Sequence, residues 1–212
     1  MLPPFPSVTT SSSAAEVSYN AELLSQLTDS IHPKLNWIIA GHSMGAALAG
    51  AMASSRPNQV IKICLVDGTF GDIRKSNRIN ISGWFISSGP VKQLAEVIAK
   101  KRFYNYSKFK ELLKSAYSQE PDSISVIGYL EPFKIKRSAS AILEMSRSRE
   151  IKNLTADSIH CPVLVIWGRK DTWIPLENGE KFIQKHPSFT FRIIETAGHC
   201  SMEINSKEFN SL

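Results

Sequence analysis

An α/β fold built on a mostly parallel sheet is predicted by three observations. Four short apolar runs, at 37–40, 60–66, 163–167 and 189–194, alternate with segments of helical spacing. That is the texture of strands covered on both faces. The first run leads through Gly41-His42-Ser43-Met44-Gly45 directly into a helix of small residues, so strand, sharp turn and helix follow one another with Ser43 at the apex. Polar residues gather where the runs end, and open α/β sheets place their active sites at the C-terminal ends of their strands.

The composition agrees with that class. In 212 residues, 42% are hydrophobic and 21% charged, as in an ordinary globular protein long enough for a sizeable core. No apolar run has the length of a membrane span. The start, Met1-Leu2-Pro3-Pro4-Phe5-Pro6, lacks the basic opening and apolar stretch of a signal peptide. Cys64, Cys161 and Cys200 have no metal-ligand spacing, and an odd count suggests reduced thiols and a cytoplasmic chain.

Taken in order, residues 1–17 are rich in Pro, Ser and Thr and read as an irregular tail. Leu23, Leu24, Leu27 and Ile31 recur at helical spacing over 18–31, and Pro33 closes that helix. The turn at Ser43 demands small neighbours, so Gly41 and Gly45 are both expected where a Cβ would crowd the crossing of strand and helix. The helix beyond carries Ala46, Ala47, Ala49, Gly50, Ala51 and Ala53, which lets it lie close on a sheet, and Arg56-Pro57 ends it. A second buried strand at 60–66 stops at Asp67-Gly68.

From about 70 to 157 the character changes. Short helical stripes appear at Val91, Leu94, Ala95 and Ile98, at Phe109, Leu112, Leu113 and Ala116, and at Ala141, Ile142 and Met145. This insert holds sixteen Lys/Arg against nine Asp/Glu, so all of the formal +6 charge resides in it. A basic face can attract anions, membrane surface or nucleic acid, but no aromatic-basic interleaving supports nucleic acid, and a solvated face is the expectation. The third strand, at 163–167, runs into Gly168-Arg169-Lys170-Asp171, and Pro175 suits the first turn of a helix reaching about Lys185. The fourth strand ends in Ala197-Gly198-His199, and a last helix begins near Ser206. The chain thus divides into the tail 1–17, a core of 18–69 and 158–212, and a helical insert at 70–157.

Three of the strand-end residues form a chemical set. Ser43 is a weak nucleophile unless a base takes its proton. His199 can be that base near neutral pH, and Asp171 can fix its tautomer and stabilise its protonated form. The chain order Ser…Asp…His and the elbow turn resemble the α/β-hydrolase superfamily of serine hydrolases. The residues that carry the resemblance are Gly41-His42-Ser43-Met44-Gly45, Val163-Leu164-Val165-Ile166-Trp167-Gly168-Arg169-Lys170-Asp171 with Ile174-Pro175, and Ala197-Gly198-His199 with Met202-Glu203.

The resemblance implies a triad of Ser43, Asp171 and His199 and an oxyanion donor in the backbone N–H of Met44. It also makes the insert at 70–157 a cap over the pocket, with Trp84, Phe85, Tyr129 and Leu130 as candidate lining. In some branches the acid follows the preceding strand, where Asp67 stands. His42, beside Ser43 on a tight turn, is expected to point away from it. His32, His160 and His186 are expected at the surface, and Cys200 as a packing residue. The function implied is hydrolysis of an ester or related acyl bond in a small molecule through an acyl-enzyme, with no metal or organic cofactor. Nothing before Ser43 resembles the His-Gly loop that supplies a second oxyanion donor, and the opening strands of the superfamily's sheet are not recognisable. That leaves an alternative, an impaired hydrolase fragment or binding module. It also predicts that the strand at 37–40 lies at an open edge through which the chain self-associates.

Overall fold

The computed structural model describes residues 16–71, 105–134 and 154–212. The tail before residue 16, the stripes around Val91 and Ala141, and the lining candidates Trp84 and Phe85 lie outside the described residues. Four strands, β1 (Trp37–His42), β2 (Val60–Val66), β3 (Val163–Gly168) and β4 (Thr190–Ile194), form one sheet in the order β1-β2-β3-β4. Every neighbouring pair is parallel, with Ile39 opposite Ile63, Leu65 opposite Val165 and Val165 opposite Phe191. Parallel neighbours need a crossover between them. Accordingly α1 (Val17–Ile31) precedes β1, α2 (Met44–Ser55) joins β1 to β2, and α5 (Leu176–Lys185) joins β3 to β4. Between β2 and β3 lie α3 (Tyr106–Tyr117), α4 (Ser123–Lys134) and a short 3-10 turn, Ala156–Ser158. Two single-turn helices, α6 (Ser201–Ile204) and α7 (Ser206–Phe209), follow the last strand.

The small residues of α2 do what their size permits. Ala46, Ala47, Ala49 and Ala53 are buried, and Gly50 lies so close to the Phe70 ring that a Cβ would come within 2.6 Å of it. Ile63, Leu65, Val165 and Trp167 fill the centre of the sheet with no exposed surface. At roughly 1.5–3 kcal/mol for each large apolar side chain, these central strands carry much of the core's stability.

Of the apolar residues spaced along α1, Leu24 packs against the core. Ala21 and Ser25 are buried against α2, whereas Leu23, Leu27 and Ile31 are exposed. The face that meets α2 is chosen by close approach, which favours Ala and Ser, and Ser25 bonds its hydroxyl to Ala21 O within the helix. On β1, Ile38 is 63% exposed and β2 is the strand's only partner among the described residues. A strand with one edge open in this way is the kind that pairs with another chain.

Helices α3 and α4 make a second, smaller apolar cluster from Phe109, Leu113, Ala116, Tyr117, Val126 and Leu130, with Cys200 among them. Each helix is started by a side chain: Asn105 accepts from Lys108 N–H at 2.9 Å, and Asp122 from Ser125 N–H at 2.7 Å. All four lysines of α3 and α4 pair with carboxylates, Lys108 with Glu111, Lys110 and Lys114 with Glu120, and Lys134 with Glu131. Three carboxylates thus offset most of the basic charge of these four lysines at the surface. Among the described residues, no helix is long and apolar enough to cross a membrane.

Candidate active site

The turn after β1 holds Ser43 at φ 53°, ψ −119°, a backbone region that costs a non-glycine residue about 1–3 kcal/mol. Its N–H donates to Val66 O at 2.8 Å, which extends the β1–β2 ladder into the turn. The crossing behind it is tight at Gly41, where a Cβ would come within 2.1 Å of Gly45 O. Gly45 itself differs from the sequence expectation. A Cβ there meets nothing within 4 Å among the described residues, so the crowding seen belongs to Gly41 and to the backbone of Gly45. Met44 is the first residue of α2, and its N–H is one of those a helix leaves without an intrahelical acceptor. That end of the helix favours developing negative charge.

The loops after β3 and β4 bring a buried carboxylate to a buried imidazole. Asp171 is 6% and His199 2% exposed, and Asp171 Oδ2 lies 2.7 Å from His199 Nδ1. The other oxygen, Oδ1, accepts from the backbone N–H groups of Trp173 (2.8 Å) and Ile174 (2.9 Å). With its carboxylate held on both oxygens, Asp171 keeps Nδ1 as the donor and leaves Nε2 as the acceptor of a neutral ring. The Trp173 indole stacks on the same imidazole, with ring centroids 5.2 Å apart.

Asp67, the other candidate acid, stands elsewhere. Its Oδ1 accepts from Gly168 N–H at 2.7 Å and its Oδ2 from the Ser201 hydroxyl at 3.1 Å. Complete burial pushes its carboxyl up to about 7, the bond from Gly168 offsetting only part of that. It braces the start of the acid loop against α6 and makes no bond to the imidazole.

His42 is bonded to the loop that carries His199. Its Nε2 lies 2.6 Å from His199 O, and the two rings are 4.8 Å apart. Burial, and then the nearby His199 ring, hold its basicity below the ordinary histidine range; facing a carbonyl oxygen, Nε2 is the donor. His32 and His160 are exposed as expected, but His186 is half-buried between Phe182 and Phe189. Cys200 is buried in the α3–α4 cluster, and burial pushes its thiol up to about 12, far from a reactive thiolate. Tyr129 reaches the Glu203 carboxylate with its hydroxyl, and Leu130 packs in the same cluster as Cys200. Trp173, His42 and the contacts of α3 escaped the sequence reading because no spacing rule links residues on separate loops. A histidine directly before the serine was the one available signal.

A parallel sheet, a serine on a strained strand-to-helix turn and a buried His–Asp pair at the strand ends are the frame of an α/β hydrolase. The chain belongs to the family described as serine aminopeptidase S33, whose model matches residues 11–203. It is 26% identical over 205 residues to a 2-hydroxy-6-oxononadienedioate/2-hydroxy-6-oxononatrienedioate hydrolase of Dechloromonas aromatica, covering 94% of this chain and 68% of that protein. An uncharacterised hydrolase of Bacillus subtilis is 23% identical over 76% of this chain, which spans 58% of that relative's length. Among solved structures, a serine hydrolase involved in carbazole degradation superposes with a TM-score of 0.73 at 13% identity, over 98% of this chain and 73% of the other. A likeness at that identity speaks to the fold alone.

Proposed function

We propose that this chain hydrolyses an ester or related acyl bond of a small molecule through an acyl-enzyme on Ser43. The observation that carries the reading is the 2.7 Å bond between His199 Nδ1 and Asp171 Oδ2, both groups buried, at the end of the sheet that also bears the strained Ser43. Because Nδ1 is committed to Asp171, Nε2 is left to take the Ser43 proton as Oγ attacks the substrate carbonyl. The Met44 N–H stabilises the oxygen that becomes negative, a donor whose loss typically costs about 10²–10³ in rate. The imidazolium, held by Asp171, returns its proton to the leaving group. Water then attacks the acyl-serine with His199 again as base, and the acid product leaves.

The segment between β2 and β3 is proposed to cover the pocket: the Tyr129 hydroxyl is committed to Glu203, so Tyr129 would line it with its ring only, beside Leu130, with Trp84 and Phe85 as the candidates outside the described residues. The Dechloromonas relative's name gives it 2-hydroxy-6-oxononadienedioate and 2-hydroxy-6-oxononatrienedioate as substrates, so a panel of p-nitrophenyl esters should be extended with those compounds. The decisive experiment is labelling by a fluorophosphonate probe. Wild-type chain should be labelled and Ser43→Ala should not, and ester hydrolysis should vanish with the label. Label that persists in Ser43→Ala removes this reading. Labelling without turnover indicates the alternative, a chain that binds acyl groups but does not release them.

A further inference from the structure

The C-terminal turn of α3 touches both loops of the acid–base pair. Ala116 O accepts from His199 N–H at 2.6 Å. Ser115 O accepts from the Thr172 hydroxyl at 3.1 Å, and Ser115 Oγ accepts from the Trp173 indole N–H at 2.8 Å while donating to Leu112 O. Ser118, in the left-handed region at φ 55°, donates its hydroxyl to Lys170 O at 2.8 Å. Lys170, Thr172 and Trp173 flank Asp171 on either side. The approach to the base loop is close enough that a Cβ on Gly198 would fall 2.4 Å from Ala116 O and 2.7 Å from Ser118 Oγ.

This turn is itself braced from below. Glu203, four residues after His199, accepts from the Tyr117 hydroxyl with one carboxylate oxygen and from the Tyr129 hydroxyl with the other. Tyr117 ends α3 and Tyr129 lies on α4, so a single carboxylate ties both helices to the helix that follows the base. Hydrogen bonds to an ionised acceptor are the stronger kind. No step of acyl transfer uses Ser115, Ser118, Tyr117, Tyr129 or Glu203.

We propose that the end of α3, through Ser115, Ala116 and Ser118, positions Asp171 and His199 relative to each other, and that Glu203 holds it in place through Tyr117 and Tyr129. The inference rests on the triad reading above. Its physical basis is that the loops beyond β3 and β4 join each other directly at Lys170 N–H to Ala197 O, 2.8 Å, and at the Arg169–Glu195 pair, both ahead of Asp171 and His199 in their loops. The bracket from α3 adds bonds to Thr172, Trp173 and His199, at and beyond the two side chains. Misplacement by about 1 Å can cost a reaction roughly 10²-fold. These are positioning residues, and their loss should appear in kcat and not in KM.

The test uses the full chain and the variants Tyr117→Phe/Tyr129→Phe, Glu203→Gln and Glu203→Ala. Three readouts are followed: the rate of fluorophosphonate labelling, kcat and KM on a p-nitrophenyl ester, and the downfield proton resonance of the His199 Nδ1–H. The double Tyr→Phe variant, which removes two hydroxyls and no packing volume, should lose about tenfold in labelling rate and kcat. Its KM should stay within about twofold of wild type, and the downfield resonance should broaden. Glu203→Gln, which still offers an acceptor, should recover most of the rate lost in Glu203→Ala. The proposal is overturned if the double variant labels at the wild-type rate with an unchanged resonance, or if the loss falls on KM alone. If Glu203→Ala does not fold, the double variant still decides. An unlabelled wild type whose downfield resonance is lost in the double variant removes the triad reading but supports the positioning role. An unlabelled wild type whose resonance survives in that variant overturns both.

Discussion

His42 Nε2 lies 2.6 Å from His199 O, so the residue before the elbow serine is tied to the loop that carries the imidazole bonded to Asp171. The donor sits on the end of β1 and the acceptor on the loop after β4, the two outer strands of the sheet. His42→Ala removes the donor and leaves a carbonyl of a residue only 2% exposed without it. The expected cost is about 1–3 kcal/mol, measured by urea unfolding. Unfolding midpoints that coincide with wild type would show that water replaces the imidazole without loss.

Asp171 and Asp67 can be separated by kinetics. Asp171→Asn should lower kcat by about three to four decades, because the amide favours the wrong tautomer of His199. Asp67→Asn keeps an acceptor for Gly168 N–H and should stay within about tenfold of wild type, the scale of a group that acts only through packing and backbone position. The reverse ranking would transfer the role of the acid to Asp67.

Asp67 also predicts a pH dependence of stability. Its carboxyl titrates near 3.8 in the ordinary state and at about 7 when folded, chiefly through burial. The folded chain therefore binds the proton more tightly, and this contribution is complete below about pH 4 and lost as pH rises through 7. His42 acts with the opposite sign. Its folded basicity is lowered from 6.5, so its contribution is present above 6.5 and lost on acidification. Thermal unfolding of Asp67→Asn across pH 4–8 should lack the decline toward neutral pH and keep the acid-side loss. A wild-type profile in that variant would refute the assignment.

The two glycines of the elbow should behave differently. Gly41→Ala drives a Cβ to within 2.1 Å of Gly45 O and should abolish soluble, probe-reactive protein. Gly45→Ala meets open space within α2 and should raise stability by roughly 0.5–1 kcal/mol, the helical preference for alanine. Melting temperatures of the two variants, with probe labelling as the activity readout, provide the comparison.

The sequence by itself determined the elements whose causes are local. The apolar runs at 60–66 and 163–167 became β2 and β3 because residues rich in Val, Ile and Leu favour a strand covered in the sheet, although Ile61 and Lys62 of β2 stay exposed. The elbow was legible because a strand, a crowded turn and a small-residue helix leave a short signature around Ser43. The order Ser43, Asp171, His199 could be read for the same reason, each standing directly after a run. Tertiary structure decided what depends on segments meeting. Spacing on α1 brought out Leu23, Leu24, Leu27 and Ile31, but of these Leu24 packs on the core, beside the buried Ala21 and Ser25, and the other three are exposed. Adjacency on a tight turn suggested that His42 points away from Ser43, but its partner, the carbonyl of His199 on the loop after β4, could not be read from the sequence. The choice between two strand-end carboxyls, and the grip of α3 on both loops, likewise rest on contacts between residues far apart in the chain. Such contacts carry no periodicity, because the distance between two loops is set by the strands and helices that support them.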